Sequence, residues 1–437
     1  MIRILLAAAV ALFLAAPAGA ITTLLPPGKM CLSDANGKPL TGGTVAYYIP
    51  GTTTPKTTWK DANQISQNTN PVVLDSAGCA VVYGEGAYRQ IVKDSLGNPI
   101  WDQNVADTSG TGQGVAAFLN PGGRLTLQSG IPIMSGVGAA NQSTVYYTPY
   151  AGNNIEIYNG QVLSPYTFAE ISLPLDSNAT HAGYHQTGKN FDLYMVNDIT
   201  IVPNVLRLCT GPSWQSDTVR GSAATITYTT YGFLANFNTI NCRFAAGVND
   251  FLSISPWRGT YVGTIRAVAD GQTSMVMRPT PAVNGNPPQM FVFNEYNRIL
   301  MQALNVDTGG QYTVASGVIQ RARGPSSFNY IQYVSGDISD SILFMNSQLV
   351  FTGATIGDTA FFCVGFDQAT SCTDGVQVYV STNSAVAQTL LAQATLVLSS
   401  VLGFHTVNAV EGAGGHTMTV NPAAPPGIGR FMAQIRM

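Results

Sequence analysis

Charge is what this sequence has least of. Among 437 residues there are 20 Lys and Arg and 23 Asp and Glu, 10% together, and the net charge is −3. No basic run occurs, so the electrostatic footprint of nucleic-acid binding is missing and no nucleic-acid partner is expected. The acids are scattered, without the matched carboxylate pair that polysaccharide hydrolysis needs. Gly-x-Ser-x-Gly and cysteine-protease signatures are absent, as is Cys-x-x-Cys zinc spacing. Beyond the first 20 residues no apolar run is long enough for a membrane-spanning helix. No period of solenoid or propeller length occurs. No catalytic residue, metal ligand or cofactor is therefore expected, and the chain reads as non-enzymatic.

Three near-motifs fall away on inspection. Gly183–Asn190, GYHQTGKN, approaches a phosphate loop, but Asn190 stands where a magnesium-binding hydroxyl is needed. The FDLYMVND that follows reads as a strand rather than the helix whose N-terminus would hold phosphate. Gly110, Gly112 and Gly114 lack the spacing and the strand–helix setting of a dinucleotide fingerprint. His181 and His185 stand four apart, but in a Gly-rich loop that gives the spacing no helical geometry. His405 and His416 read as ordinary polar positions in separate strands.

What the chain does have is glycine, 45 residues of it, and short apolar runs closed by turns. KMCLSDANGKPL, VVLDSAGCAVVY and YRQIVKDSLGNPIW share one grammar: a strand, then Asp-x-x-Gly, then a strand. The Asp side chain opens such a turn by accepting backbone N–H groups, and the Gly supplies positive φ. Sustained strand-and-turn spacing predicts an all-β chain of several small β-sandwich or jelly-roll-like domains. Only SAVAQTLLAQATLVLSS, with Val386, Leu390, Leu391 and Ala394, has helical spacing; helix and strand both stay open there.

The N-terminus has Arg3, an apolar run over Ile4–Ala16 and a small-x-small Ala18-Gly19-Ala20. This is the pattern of a secretion signal cleaved after Ala20, with a retained hydrophobic leader as the alternative. Six cysteines accompany it: Cys31, Cys79, Cys209, Cys242, Cys363 and Cys372. They fall as three sequential pairs. Pairing neighbours keeps each bridge within one domain, so Cys31–Cys79, Cys209–Cys242 and Cys363–Cys372 are expected in an oxidising compartment. Buried free thiols are the other reading. The expected organisation is a leader over 1–20, a first domain over 21–107, a Gly-rich linker over 108–123, a β-rich body over 124–306 and a C-terminal β-sandwich over 307–437.

Residues 42–102 carry Gly-x-Val-x-Tyr-Tyr, Pro-Gly-Thr-Thr-Thr-Pro-Lys, Asn-Pro-Val-Val-Leu-Asp and Tyr-Arg-Gln-Ile-Val-Lys-Asp in order. This run resembles the N-terminal particle-attachment domain of bacteriophage tail fibres and tailspikes. Residues 124–300, with TVYYTPYAGN, LRLCTGPSW and RGTYVGTIRAVADGQT, resemble a tail-fibre body; the last third matches loosely. The resemblance implies an elongated homotrimer attached to a head, portal or baseplate component. It also implies a host cell-surface receptor, a glycan, met at the C-terminal end, with residues 307–437 as the receptor-binding domain. The leader departs from that pattern and suits a prophage-derived or gene-transfer-particle fibre displayed outside the cell. An exported adhesin built from fibre modules and a polysaccharide depolymerase are the competing readings. Tyr146, Tyr147, Trp214, Trp257 and Tyr261 are aromatics able to stack on sugars, or else core or subunit-interface side chains. No receptor-contacting residue is assigned from the sequence.

Overall fold

The computed structural model describes residues 23–34, 37–106, 120–160, 162–201, 204–229, 232–351, 359–373, 377–381, 389–421 and 429–437. The leader over 1–20 and residues 108–119 of the linker lie outside them. The chain divides into two compact units at residues 117 and 118, and the fold is all-β.

In the first unit, strand Thr44–Tyr48 lies between Val72–Val73 and Ala87–Lys93, and Pro99–Ala106 pairs with the far edge of Ala87–Lys93, all antiparallel. A two-stranded ribbon pairs Thr23–Cys31 with Cys79–Gly84. Side chains alternate across a strand, so Val45 and Tyr47, then Tyr88, Gln90 and Val92, point inward. They meet Leu40, Val72, Leu74 and Val82 in a small core. Gln90 is tolerated there because its Nε2 donates to Tyr47 Oη at 3.1 Å and its Oε1 accepts from Trp101 Nε1 at 3.2 Å.

The three Asp-x-x-Gly stretches form one repeated turn. Asp34, Asp75 and Asp94 each donate their backbone N–H to the carbonyl of the residue four later, and each of their own carbonyls accepts from the glycine N–H. Each Oδ1 also accepts from backbone: Asp34 from Lys38, Asp75 from Ala77 and Cys79, Asp94 from Leu96 and Asn98, all at 2.8–2.9 Å. Gly37, Gly78 and Gly97 take φ of +80°, +73° and +88°, a region that a Cβ disfavours.

The second unit contains a 16-stranded sheet, a six-stranded sheet and two smaller ones. Its largest hydrophobic cluster runs from Leu125 to Met437 and takes residues from both sides of the 306/307 boundary expected above. Strand Leu300–Val306 pairs along its whole length with Arg430–Arg436. The boundary therefore falls inside one packed body, because the strand before it needs the last strand of the sequence as its neighbour.

Of the stretch that left helix and strand open, residues 384–388, Val386 among them, lie outside the described residues, and Thr389–Ser399 is a strand paired in full register with Ser341–Phe351. Ala392, Ala394 and Leu396 are buried while Leu391, Gln393, Thr395 and Val397 are exposed, a period of two that places Ala392 and Ala394 in one cluster with Phe362 and Ala413 and Leu396 in the largest one. The helical spacing of Leu390, Leu391 and Ala394 is outweighed by an 11-residue partner strand.

Candidate functional site

The structure contains three disulfides, Cys31–Cys79, Cys209–Cys242 and Cys363–Cys372, with Cα separations of 4.0, 5.5 and 5.6 Å. Cys209 and Cys242 are fully buried. The residues that follow them, Thr210 and Arg243, face each other across their two strands. Both belong to a polar cluster that sequence spacing did not reveal. Asp176 accepts from Arg243 Nη1 and His181 Nδ1, each at 2.9 Å. The His185 Nδ1 accepts from the Asp176 backbone N–H at 2.8 Å, and its Nε2 lies 2.9 Å from Thr210 Oγ1. The accepting Nδ1 makes His185 a neutral Nε2–H tautomer. Burial, reinforced by the Arg243 charge, pushes its pKa down to about 4. The two histidines are thus brought together by a shared aspartate, and among the described residues no group of side chains has the makings of a metal site. His405 lies in strand Gly403–Gly414 and bonds Asp367 at 2.8 Å. His416 lies in the turn after that strand rather than within a strand.

A second buried cluster surrounds Arg220. Its guanidinium grips Asp192 at 2.7 and 3.2 Å, donates to the Gly336 carbonyl at 2.8 Å and covers the Trp214 ring. Thr264 Oγ1 donates to Asp192 Oδ1 and bonds Tyr261 Oη, both at 2.7 Å. Nearby, Arg298 pairs with Asp340 at 2.7 Å and Asp337 at 3.4 Å. Glu295 is buried and its Oε2 has no hydrogen-bond partner. Burial, with the Asp337 charge beside it, raises its pKa to about 7. Glu411, fully buried, is also raised to about 7 by burial, against donors from Tyr312, Arg323 and Gln320.

Of the five aromatics able to stack on sugars, Tyr147, Trp214 and Tyr261 are buried and Tyr146 is half-buried. Trp257 is 45% exposed. It occupies the third position of a Ser255-Pro256-Trp257-Arg258 turn closed by Arg258 N–H to Ser255 O at 3.3 Å. Its φ is +67°. Proline at the second position and positive φ at the third mark a type II turn, where glycine or asparagine belongs. A tryptophan there is a backbone outlier.

Asn236 holds this turn in place from beneath. It is fully buried, and its Nδ2 donates to Asn238 O at 2.8 Å and Ser255 O at 2.9 Å. Its Oδ1 accepts from Gly259 N–H at 2.8 Å, and its backbone carbonyl accepts from Trp257 N–H at 2.8 Å. The residue after it, Phe237, is 48% exposed. Two exposed rings therefore stand on adjoining backbone segments, clamped by one buried amide. Segments 234–240 and 252–260 carry a single charge, Arg258. Its guanidinium is packed so closely on Gly160 that a Cβ there would strike it.

No family model and no curated protein matches the chain. Among solved structures it is similar to infectious bursal virus derived T=1 particles, at 12% identity over 93% of this chain and 67% of that one, with a TM-score of 0.23. It is also similar to the infectious bursal disease virus Gx strain structure, at 12% identity over 95% and 71% with a TM-score of 0.21. A Bacillus thuringiensis Cry1Da tryptic core variant matches at 8% identity over 68% and 48%, with a TM-score of 0.16. At these TM-scores none of the three assigns the chain a fold or a role.

Proposed function

We propose that the chain is a structural appendage of a virus-like particle. The first unit attaches it to the particle, and the second unit faces a cell surface and meets a glycan receptor there. One observation carries the reading: the ordered run over 42–102 that resembles a particle-attachment domain falls within a single compact unit. The repeated Asp turns and the Cys31–Cys79 bond give that small unit the rigidity an anchor needs. On this reading the partners are two further copies of the chain and a head, portal or baseplate component. No catalytic step is assigned to it. Three disulfides and a secretion-type leader suit display outside the cell, where such bonds persist.

Negative-stain microscopy of purified particles with an antibody to this chain tests the reading. Label at a fixed place on the particle is the expected result. Label confined to the cell envelope would instead make the chain an adhesin. Release of reducing ends from capsule or lipopolysaccharide by the purified chain would make it a depolymerase. Sedimentation of the purified chain should give three times the chain mass.

A further inference from the structure

We propose that Trp257 is a stacking platform for an uncharged pyranose ring, with Phe237 as a second contact, which makes this turn the glycan subsite of the second unit. The inference rests on the cell-surface reading given above.

A non-glycine residue at positive φ is strained, and a bulky one more so. Glycine would sit at position 257 without strain, so folding alone gives no reason for tryptophan there. Nor does burial supply the reason, since 45% of Trp257 stays exposed. The position is nonetheless firmly built. Asn236 has its amide fully engaged beneath the turn, and Trp257 N–H is bonded to the Asn236 carbonyl. Strain, exposure and rigid support together describe a side chain presented to something outside the chain.

The chemistry around it selects the occupant. A pyranose offers one apolar C–H face and a rim of hydroxyls. The apolar face suits an indole, and the rim suits the exposed Ser255 hydroxyl and the side-chain carbonyl of exposed Asn238, whose Nδ2 donates to Ser222 O at 2.8 Å. The two flanking segments hold no acidic residue, and their one cation is packed on Gly160. A cationic ligand would find no counter-charge there. Two rings are also too small a surface for a stable protein interface, which buries about 800 Å² per partner.

The test compares the full-length chain with Trp257→Gly, Trp257→Tyr and Phe237→Ala on immobilised neutral oligosaccharides, with sialylated and sulfated ones alongside. Trp257→Gly should lose at least tenfold in affinity for neutral glycans while its Tm stays the same or rises. Trp257→Tyr should bind within about threefold of wild type, as expected of a retained aromatic face, and Phe237→Ala should fall in between. Retained binding in Trp257→Gly would overturn the proposal. So would a fall in its Tm, which would make Trp257 a packing residue. Preference for the acidic glycans, or no glycan binding at all, would overturn the ligand class. The two readings fail separately. Chains found on particles without Trp257-dependent binding would remove only the subsite. Trp257-dependent binding by a chain absent from particles would remove only the appendage.

Discussion

Cys31 and Cys79 stand directly opposite each other on two antiparallel strands, their Cα atoms 4.0 Å apart. That is shorter than the usual disulfide range of about 4.4–6.8 Å and near the roughly 4.5 Å of a non-hydrogen-bonded cross-strand pair. The bond spans 48 residues of a unit with a thin core. Loop-closure entropy puts its contribution at about 4 kcal/mol. Calorimetry of Cys31→Ser should show the transition of the first unit lowered accordingly and that of the second unit unmoved. An unchanged first transition would show that the bond does not brace this unit.

Gly78 and Gly97 occupy equivalent turns, and their substitution should not be equivalent. Both have positive φ, so alanine costs each about 1 kcal/mol. At Gly97 an added Cβ meets nothing within 4 Å, whereas at Gly78 it would lie 2.6 Å from Leu32 O and 2.7 Å from Leu40 N. Both obstacles are backbone and cannot rotate away. Urea denaturation should show Gly97→Ala close to that penalty and Gly78→Ala destabilised by about 3 kcal/mol or more, the size of an overpacked site. Equal losses would contradict the packing at Gly78.

Glu295 makes the second unit respond to pH. Below about pH 4.5 both folded and unfolded chains hold its proton, and above about 7 neither does. Between these values only the folded chain keeps it, because its pKa is raised to about 7. Stability from this group is therefore full at acid pH and is lost as pH rises from 4.5 to 7, by roughly 3 kcal/mol. Glu411 acts in the same direction, and His185, with its pKa lowered to about 4, acts in the opposite one. Glu295→Gln should flatten the wild-type decline measured by denaturation at pH 5 and pH 7.5. A parallel decline in the variant would show that Glu295 is not the source.

Asp192 neutralises a guanidinium that has little access to water. The side chains of Arg220 and Asp192 are 11% and 0% exposed. Asp192→Ala should cost about 3–5 kcal/mol, since it leaves Arg220 buried and uncompensated. The double replacement Asp192→Leu with Arg220→Met should cost less than that single one. If the double variant is the less stable, the pair contributes net stability beyond its own desolvation.

The strand-and-turn architecture was legible because it is local. Each Asp-x-x-Gly turn is written in four consecutive residues, and Val45, Tyr47, Tyr88 and Val92 alternate within their strands. The strand Thr389–Ser399 was ambiguous because alanine and leucine favour helices, and the residues that decide it, Ser341–Phe351, lie about 50 positions earlier. Trp257 was legible as an aromatic in a turn but not as a strained one. A Pro-Trp pair suits turns of either sign of φ at the second residue, and the grip that settles it comes from Asn236. The clusters around Asp176 and Asp192 were invisible for the same reason, since bonded partners within them lie up to 116 residues apart.

Strand Arg430–Arg436 is hydrogen-bonded on both sides, to Leu300–Val306 and to Ser341–Phe351. During synthesis those two neighbours leave the ribosome with the place between them empty, and it fills only when the chain has been made to residue 436. The second unit is therefore completed after translation of its last strand, while all strands of the first unit have emerged long before. Long-range pairing of this kind folds slowly, and two open strand edges are exposed in the interval.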